Sequence, residues 1–374
     1  MTLRSPPCLS GVNMETLDYL KLMAEKEASD LFFSVGTPVH MKIGGTTSPV
    51  DAIQLLPGST REMAYSLMND MQIKEFEATK EMNLAISISE MGRFRINVYF
   101  QRTEVAMVVR FIRSDIPSIQ SLGLPPFLED LAMLRRGLIL VAGASGSGKS
   151  TTLAAMINYR NESEAGHILC IEDPIEFLHR HKKSVVDQRE VGIDTDSFDA
   201  ALRNAMREAP DLIMIGEILD RQTMQHAIAY AETGHLCLST LHSNNANQAI
   251  DRILNFFPEG ARSQLLLDLS LNLKAVISQR LVGSTEGKRV PAVEIMLNTP
   301  YVSELIRRGN LEEIKAVMGK SSDPGVCTFD QSLFRLYSEG KISLSEALRN
   351  ADSATDLKLR IRLSQGQVRP MRSS

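Results

Sequence analysis

The chain has 374 residues, 43% of them hydrophobic, with 41 basic and 45 acidic side chains and a formal net charge of −4. The length suggests two to three domains, the apolar fraction argues against general disorder, and the near balance of charge excludes a global attraction to nucleic acid or to an anionic membrane. Four cysteines without a CxxC pair exclude a zinc ribbon, and no run approaches the roughly 18 apolar residues that span a bilayer.

Residues 1–11 read as a loose leader, too short and too polar for a signal peptide. Residues 12–113 follow the pattern of an α+β domain. Within it, 14–28 place Leu17, Leu20, Met23 and Ala24 at helical spacing, and 60–71 read as a second helix. Residues 31–35 and 39–43 are short β-like runs followed by a Gly44-Gly45 turn, and 84–88, 94–100 and 105–112 alternate as strands do. Residues 114–126, SDIPSIQSLGLPP, carry three prolines and a glycine and read as an ordered interdomain linker.

From 127 to 363 the pattern changes to short apolar strands (137–142, 167–171, 212–215, 235–241) alternating with helices (150–160, 198–208, 222–231). That alternation predicts an α/β domain with right-handed crossovers and a mainly parallel sheet. Residues 261–281 read as one long leucine-rich helix, 330–338 and 344–351 as a helical pair, and 364–374 as a disordered tail. Cys170 and Cys237 sit in apolar runs and read as reduced core thiols, so the chain is expected to be soluble and cytosolic.

The strongest chemical signal is Gly143-Ala144-Ser145-Gly146-Ser147-Gly148-Lys149-Ser150, which matches GxxxxGK[ST] between the strand GLILVA and a helix that opens with Thr151. Glycines let backbone N–H groups turn inward and cradle phosphates at a helix N-terminus. Lys149 is placed to neutralise the terminal phosphates and Ser150 to ligate Mg²⁺. A chance glycine-rich turn would lack the flanking strand and helix.

Hydrolysis further needs carboxylates beside the phosphates. Two apolar strands end in acids: HILCI runs into Glu172, Asp173 and, after Pro174, Glu176, and LIMI into Gly216-Glu217. In open parallel sheets ligands sit beyond the carboxyl ends of the strands. Strand-end acids often only solvate loops, but two such segments downstream of a phosphate loop favour function. In GHLCLSTLH, strand alternation points His235 and His242 to opposite faces, so they do not share a metal. His242 lies at the carboxyl end, where it can sense a γ-phosphate, whereas His235 is expected to be structural or at a subunit boundary.

The order of phosphate loop, EDPIE, DLIMIGE and TGHLCLSTLHSNNA resembles the Walker A, Asp box, Walker B and His box of the secretion/pilus ATPases, over about residues 14–361. Within that family HKKSVVDQREVGIDT, DRILNFFPE and SLNLKAVISQRLV are most similar to the PilT/PilU retraction branch, PilU type. The resemblance implies a PAS-like N-terminal domain, a RecA-like ATPase domain and a ring of six subunits. It also implies ATP and Mg²⁺ as cofactors, with Glu176 as catalytic base and Glu217 in the Walker B role, holding Mg²⁺ with Ser150. Arg95 and Arg110 resemble arginines that reach the nucleotide; from the strand pattern alone, Arg93 and Arg95 share one polar face, for which solvation is an equally good account.

By the same resemblance the ring works in the cytoplasm, peripheral to the inner membrane at the pilus base. Its partners are an inner-membrane platform protein and a principal retraction ATPase, with no nucleic acid and no membrane span. Two departures stand out. The family's GE(M/I)RD is here Gly216-Glu217-Ile218-Leu219-Asp220, and an AIRNLI-like segment is replaced by VSELIRRG at 302–309. Both suggest a motor auxiliary to another. The rivals are a pilus-assembly or type II secretion ATPase, an ATP-binding structural partner in a mixed ring, and a RecA-like nucleic-acid translocase. The first usually has a four-cysteine insert, the second has Leu219 as its support, and the third would be expected to carry basic or aromatic pore residues.

Overall fold

A computed structural model describes residues 14–89 and 91–366; the expected leader 1–11 lies outside them. The chain divides into two compact units, Met1–Ser114 and Asp115–Ser374.

The first unit contains α1 (Thr16–Glu25), β1 (Asp30–Phe33), β2 (His40–Ile43), β3 (Thr46–Pro49), α2 (Ser59–Tyr65), α3 (Asp70–Thr79), β4 (Glu81–Ile88), β5 (Gly92–Gln101) and β6 (Glu104–Ile112). The strands form one antiparallel sheet in the order β3-β2-β1-β6-β5-β4. Alternation puts Phe94, Ile96 and Val98 of β5 into a core shared with Leu20, Met23, Ala64 and Phe76 of the helices. The single helix expected over 60–71 is two helices. Asn69 accepts from Gln72 N, and Gln72 Oε1 accepts from Asn69 N, each at 2.9 Å. This reciprocal cap starts α3 afresh where the apolar spacing alone suggested continuity.

The second unit contains α4 (Phe127–Ala132), β7 (Gly137–Ala142), α5 (Lys149–Ser163), β8 (His167–Glu172), β9 (Val185–Glu190), α6 (Phe198–Ala205), β10 (Leu212–Ile215), α7 (Arg221–Glu232), β11 (Leu236–Leu241), α8 (Ala246–Asn255), α9 (Glu259–Asn272), β12 (Leu273–Gly283) and β13 (Arg289–Leu297). Five helices follow among the described residues: α10 (Pro300–Arg308), α11 (Glu312–Lys320), α12 (Phe329–Ser338), α13 (Leu344–Asn350) and α14 (Ala354–Gly366). The sheet order is β13-β12-β7-β11-β10-β8-β9, parallel throughout except for the β12–β13 pair. Strands β7, β10 and β11 are buried along their whole length. A parallel strand covered on both faces has to be apolar on both, which is why these runs are continuous rather than alternating.

The expected helix over 261–281 ends at Asn272, and the remainder is strand β12 beside β7. Its β-branched Val276 and Ile277 are fully buried in the two cores on either side of the sheet; burial between two layers outweighs the leucine spacing that suggested a helix. Residues 114–126 fold with this unit, with Ile119 and Leu124 packed in the same core as Leu128 and Ile139. Helix α14 continues through Gly366, so the tail expected from 364 begins no earlier than 367, and 367–374 lie outside the described residues. Among the described residues no helix is long and apolar enough to cross a membrane.

Candidate nucleotide site

β7 delivers the chain to a loop, residues 143–148, that turns into α5. Gly148 has φ 91°, a left-handed conformation that side chains rarely adopt. A Cβ on Gly148 would lie 2.7 Å from Gln279 Nε2, and one on Gly143 would lie 2.7 Å from the Gln279 carbonyl oxygen. The loop is thus pressed against β12, with no room for a side chain at either end. Gln279 Oε1 also accepts from Thr152 Oγ1 of α5 at 2.6 Å. One buried side chain therefore ties the helix, and its own backbone abuts the start of the loop.

Lys149 is 8% exposed, and Nζ donates to the carbonyls of Gly143 at 3.0 Å and Ala144 at 3.1 Å. Burial pulls its pKa below the usual lysine value, against the opposing charges of Glu217 and Glu176.

A cleft of about 390 Å³ opens over the loop and the strand ends. Ser145, Gly146, Gly148, Lys149, Ser150 and Thr151 line it, together with Glu172, Glu176, Glu217 and His242. Gly143, Ala144 and Ser147 belong to the loop but do not line the cleft; the Ser147 hydroxyl is turned inward against Gly143.

The acids differ in environment. Glu172 ends β8, and burial pushes its pKa up to about 7 even though Gln188 Nε2 donates to it at 2.9 Å. Glu176 is exposed at the mouth of the cleft. Glu217 follows β10, and His242 follows β11, the neighbouring parallel strand. His242 Nε2 stands 2.9 Å from Glu217 Oε1. The angles are not those of a hydrogen bond, which leaves Oε1 buried with no hydrogen-bond partner. The hydroxyls of Ser239 and Thr240 donate to the carbonyls of Ile215 at 2.7 Å and Gly216 at 2.6 Å. They fix the turn that presents Glu217. Asp220 caps α7 by accepting from Thr223 N at 2.8 Å, while Leu219 is 53% exposed. The departure at Leu219 changes a surface side chain and leaves the neighbouring cap in place.

Several supporting residues have only a faint signal in the sequence. Gln279 is the middle of the polar triplet Ser278-Gln279-Arg280 in β12, and His179 and Arg289 lie in a loop and at a strand start yet line the cleft. His179 is buried, which lowers its pKa to about 4 and keeps it neutral. Arg95 and Arg110 belong to the first unit, where they are cross-strand partners. Arg110 Nε donates to Asp30 Oδ1 at 2.9 Å and is 67% exposed. His235, before β11, contacts Thr233 Oγ1 at 3.1 Å and has no place in the cleft.

The chain is similar to known proteins over most of its length. The family described as "Type II/IV secretion system protein" matches residues 21–329. The type IV pilus ATPase PilU of Pseudomonas aeruginosa is 51% identical over 94% of this chain and 92% of its own length. The type IV pilus retraction ATPase PilT of the same organism is 39% identical over 90% of this chain and 98% of its own. A crystal structure of the pilus retraction motor PilT with bound ADP superposes with a TM-score of 0.85 at 39% identity, covering 93% of this chain and all of that one. This chain therefore belongs to the type II/IV secretion system protein family, among the PilT/PilU-type pilus ATPases.

Proposed function

We propose that the chain is an ATP-hydrolysing motor subunit that powers retraction of type IV pili. The observation that carries this reading is the convergence of Lys149, Ser150, Glu176, Glu217 and His242 on one cleft at the carboxyl ends of parallel strands. The identity to PilU and PilT and the ADP held by the PilT crystal structure support the same reading. Backbone N–H groups at the start of α5 would cradle the phosphates, and Lys149 would exchange its two carbonyl partners for phosphate oxygens.

Mg²⁺ fits the residues present. Ser150 and Glu217 line the same cleft, and the buried Glu217 Oε1 has no hydrogen-bond partner. When bound, the ion supplies charge neutralisation at the phosphates. Glu176, exposed at the mouth, would orient and deprotonate an attacking water, and His242 would report on the terminal phosphate through Glu217.

Rings of six subunits working in the cytoplasm against an inner-membrane platform protein complete the proposal, with Arg95 and Arg110 reaching a nucleotide. The altered 302–309 segment and Leu219 favour an auxiliary motor that adds to a principal retraction ATPase. Leu219 also keeps open an ATP-binding partner that does not hydrolyse. Phosphate release from the purified chain, alone and with the principal ATPase, separates the two. Deleting the gene should leave pili on the surface and impair twitching or high-load retraction. Loss of surface pili would favour an assembly motor, and unimpaired motility under load would remove the motor role.

A further inference from the structure

One charged cluster, built around the buried Glu294, has no part in the cleft chemistry. Glu294 of β13 is 2% exposed, and Oε1 accepts the N–H of Ala246, the first residue of α8, at 2.9 Å. Arg280 of β12 shares that face of the sheet, because Ser278 pairs with Glu294 and Arg280 with Ala292. Gln279, between them, points to the opposite face, where it holds Thr152. Adjacent residues of one strand thus serve the phosphate loop and the layer behind it.

Arg280 Nη1 lies 2.8 Å from Asp352 Oδ1 and donates to the Asn350 carbonyl at 2.9 Å. Its guanidinium sits 3.8 Å from the centre of the Phe329 ring, and Nη2 makes a long contact of 3.5 Å to the Asn244 carbonyl, just past His242. Asp352 Oδ2 also takes Lys315 of α11 at 2.7 Å. The N–H groups of Asp352 and Ser353 donate to Asp330 of α12 at 2.8 and 3.1 Å. One network therefore joins the start of α8, both final strands, α11, α12 and the α13–α14 turn. Burying the Glu294 carboxylate is costly unless its partners are in place, and an apolar side chain of similar volume would fill that position without the cost.

We propose that Arg280 and Glu294 are positioning residues that hold the 243–246 segment, and through it His242, in register with the α13–α14 turn, so that nucleotide in the cleft and the C-terminal helices respond to one another. This rests on the nucleotide reading of the cleft. The measure of such coupling is a response at one end of the network to ligand at the other.

Hydrogen exchange with and without saturating ADP supplies it. In the full-length protein ADP should slow exchange at residues 146–151, 243–247 and 350–357. In Arg280→Gln the first two responses should remain and the third should fall at least about fivefold, with Arg280→Lys between the two. Asp352→Asn cuts the same pair from its outer side and carries the test if Arg280→Gln does not fold. Turnover gives a second readout: kcat of Arg280→Gln should fall about tenfold with KM nearly unchanged. Adding Arg280→Gln to His242→Ala should cost nothing further, because both act through one contact. An undiminished response at 350–357 in both variants, or losses that multiply in the double variant, would overturn the proposal. Absence of any ADP response at 146–151 in the unaltered protein would instead remove the nucleotide reading, and this proposal with it.

Discussion

Thr152 and Gln279 are 127 positions apart in sequence, yet the threonine hydroxyl donates to the glutamine Oε1 at 2.6 Å inside the second unit. The bond fastens the first turns of α5 to β12, and the same glutamine backs both ends of the phosphate loop. Gln279→Ala should therefore loosen the loop without touching a phosphate. The expected result is a five- to tenfold weaker nucleotide affinity, about 1–1.4 kcal/mol, typical of a buried polar partner removed. Titration of a fluorescent ADP analogue reads this directly, and unchanged affinity would mean that the loop holds its shape unaided.

Among the described residues, Lys149 donates its hydrogen bonds to the loop carbonyls of Gly143 and Ala144. Lys149→Ala should abolish ATP turnover while the protein stays folded. Phosphate release and a thermal melt measured on the same preparation check both halves. Turnover like that of the unaltered protein would sink the phosphate role.

Glu176 and Glu217 should separate chemistry from binding. Glu176→Gln keeps the size of the side chain and removes its charge, so ATP should still bind while turnover falls at least roughly tenfold. Glu217→Gln should weaken Mg²⁺-dependent binding instead, since it alters a carboxylate that lines the cleft together with Ser150. If Glu176→Gln loses binding and turnover in proportion, the base role passes to another residue.

Glu172 sets a pH dependence of stability. Burial raises its pKa from 4.5 to about 7 in the folded chain. Between those values the folded state keeps a proton that the unfolded state has released, so this group's contribution to stability falls as pH rises from 4.5 and levels off above 7. The full difference is roughly 3 kcal/mol from a shift of this size. Glu172→Gln removes the titration and still accepts from Gln188. In nucleotide-free protein it should raise the melting temperature at pH 8 and have little effect near pH 4.5. An equal effect at both pH values would contradict the assignment.

Much of the site was legible because its chemistry is local in the chain. Strand, glycine loop and helix are contiguous from 137 to 163, and an acid after a short apolar run has to lie at the end of that strand. Caps and partners were less legible. The Asn69–Gln72 box that splits 60–71 is itself local, and it outweighs the pattern that suggests one continuous helix. The long helix read over 261–281 failed because leucine spacing there suits a helix as well as a buried strand.

By itself the sequence determined the phosphate loop, the acids at strand ends and the succession of an α+β and an α/β region, since these follow from backbone sterics and hydrophobic period over a few residues. Only the tertiary structure decided that β11 lies beside β10, which brings His242 to Glu217, and that 273–283 lies beside β7, which brings Gln279 to the loop and Arg280 to the C-terminal helices. The reason is physical: a strand's neighbours are chosen by burial and hydrogen bonding across the whole sheet, and no short stretch of chain encodes its partner.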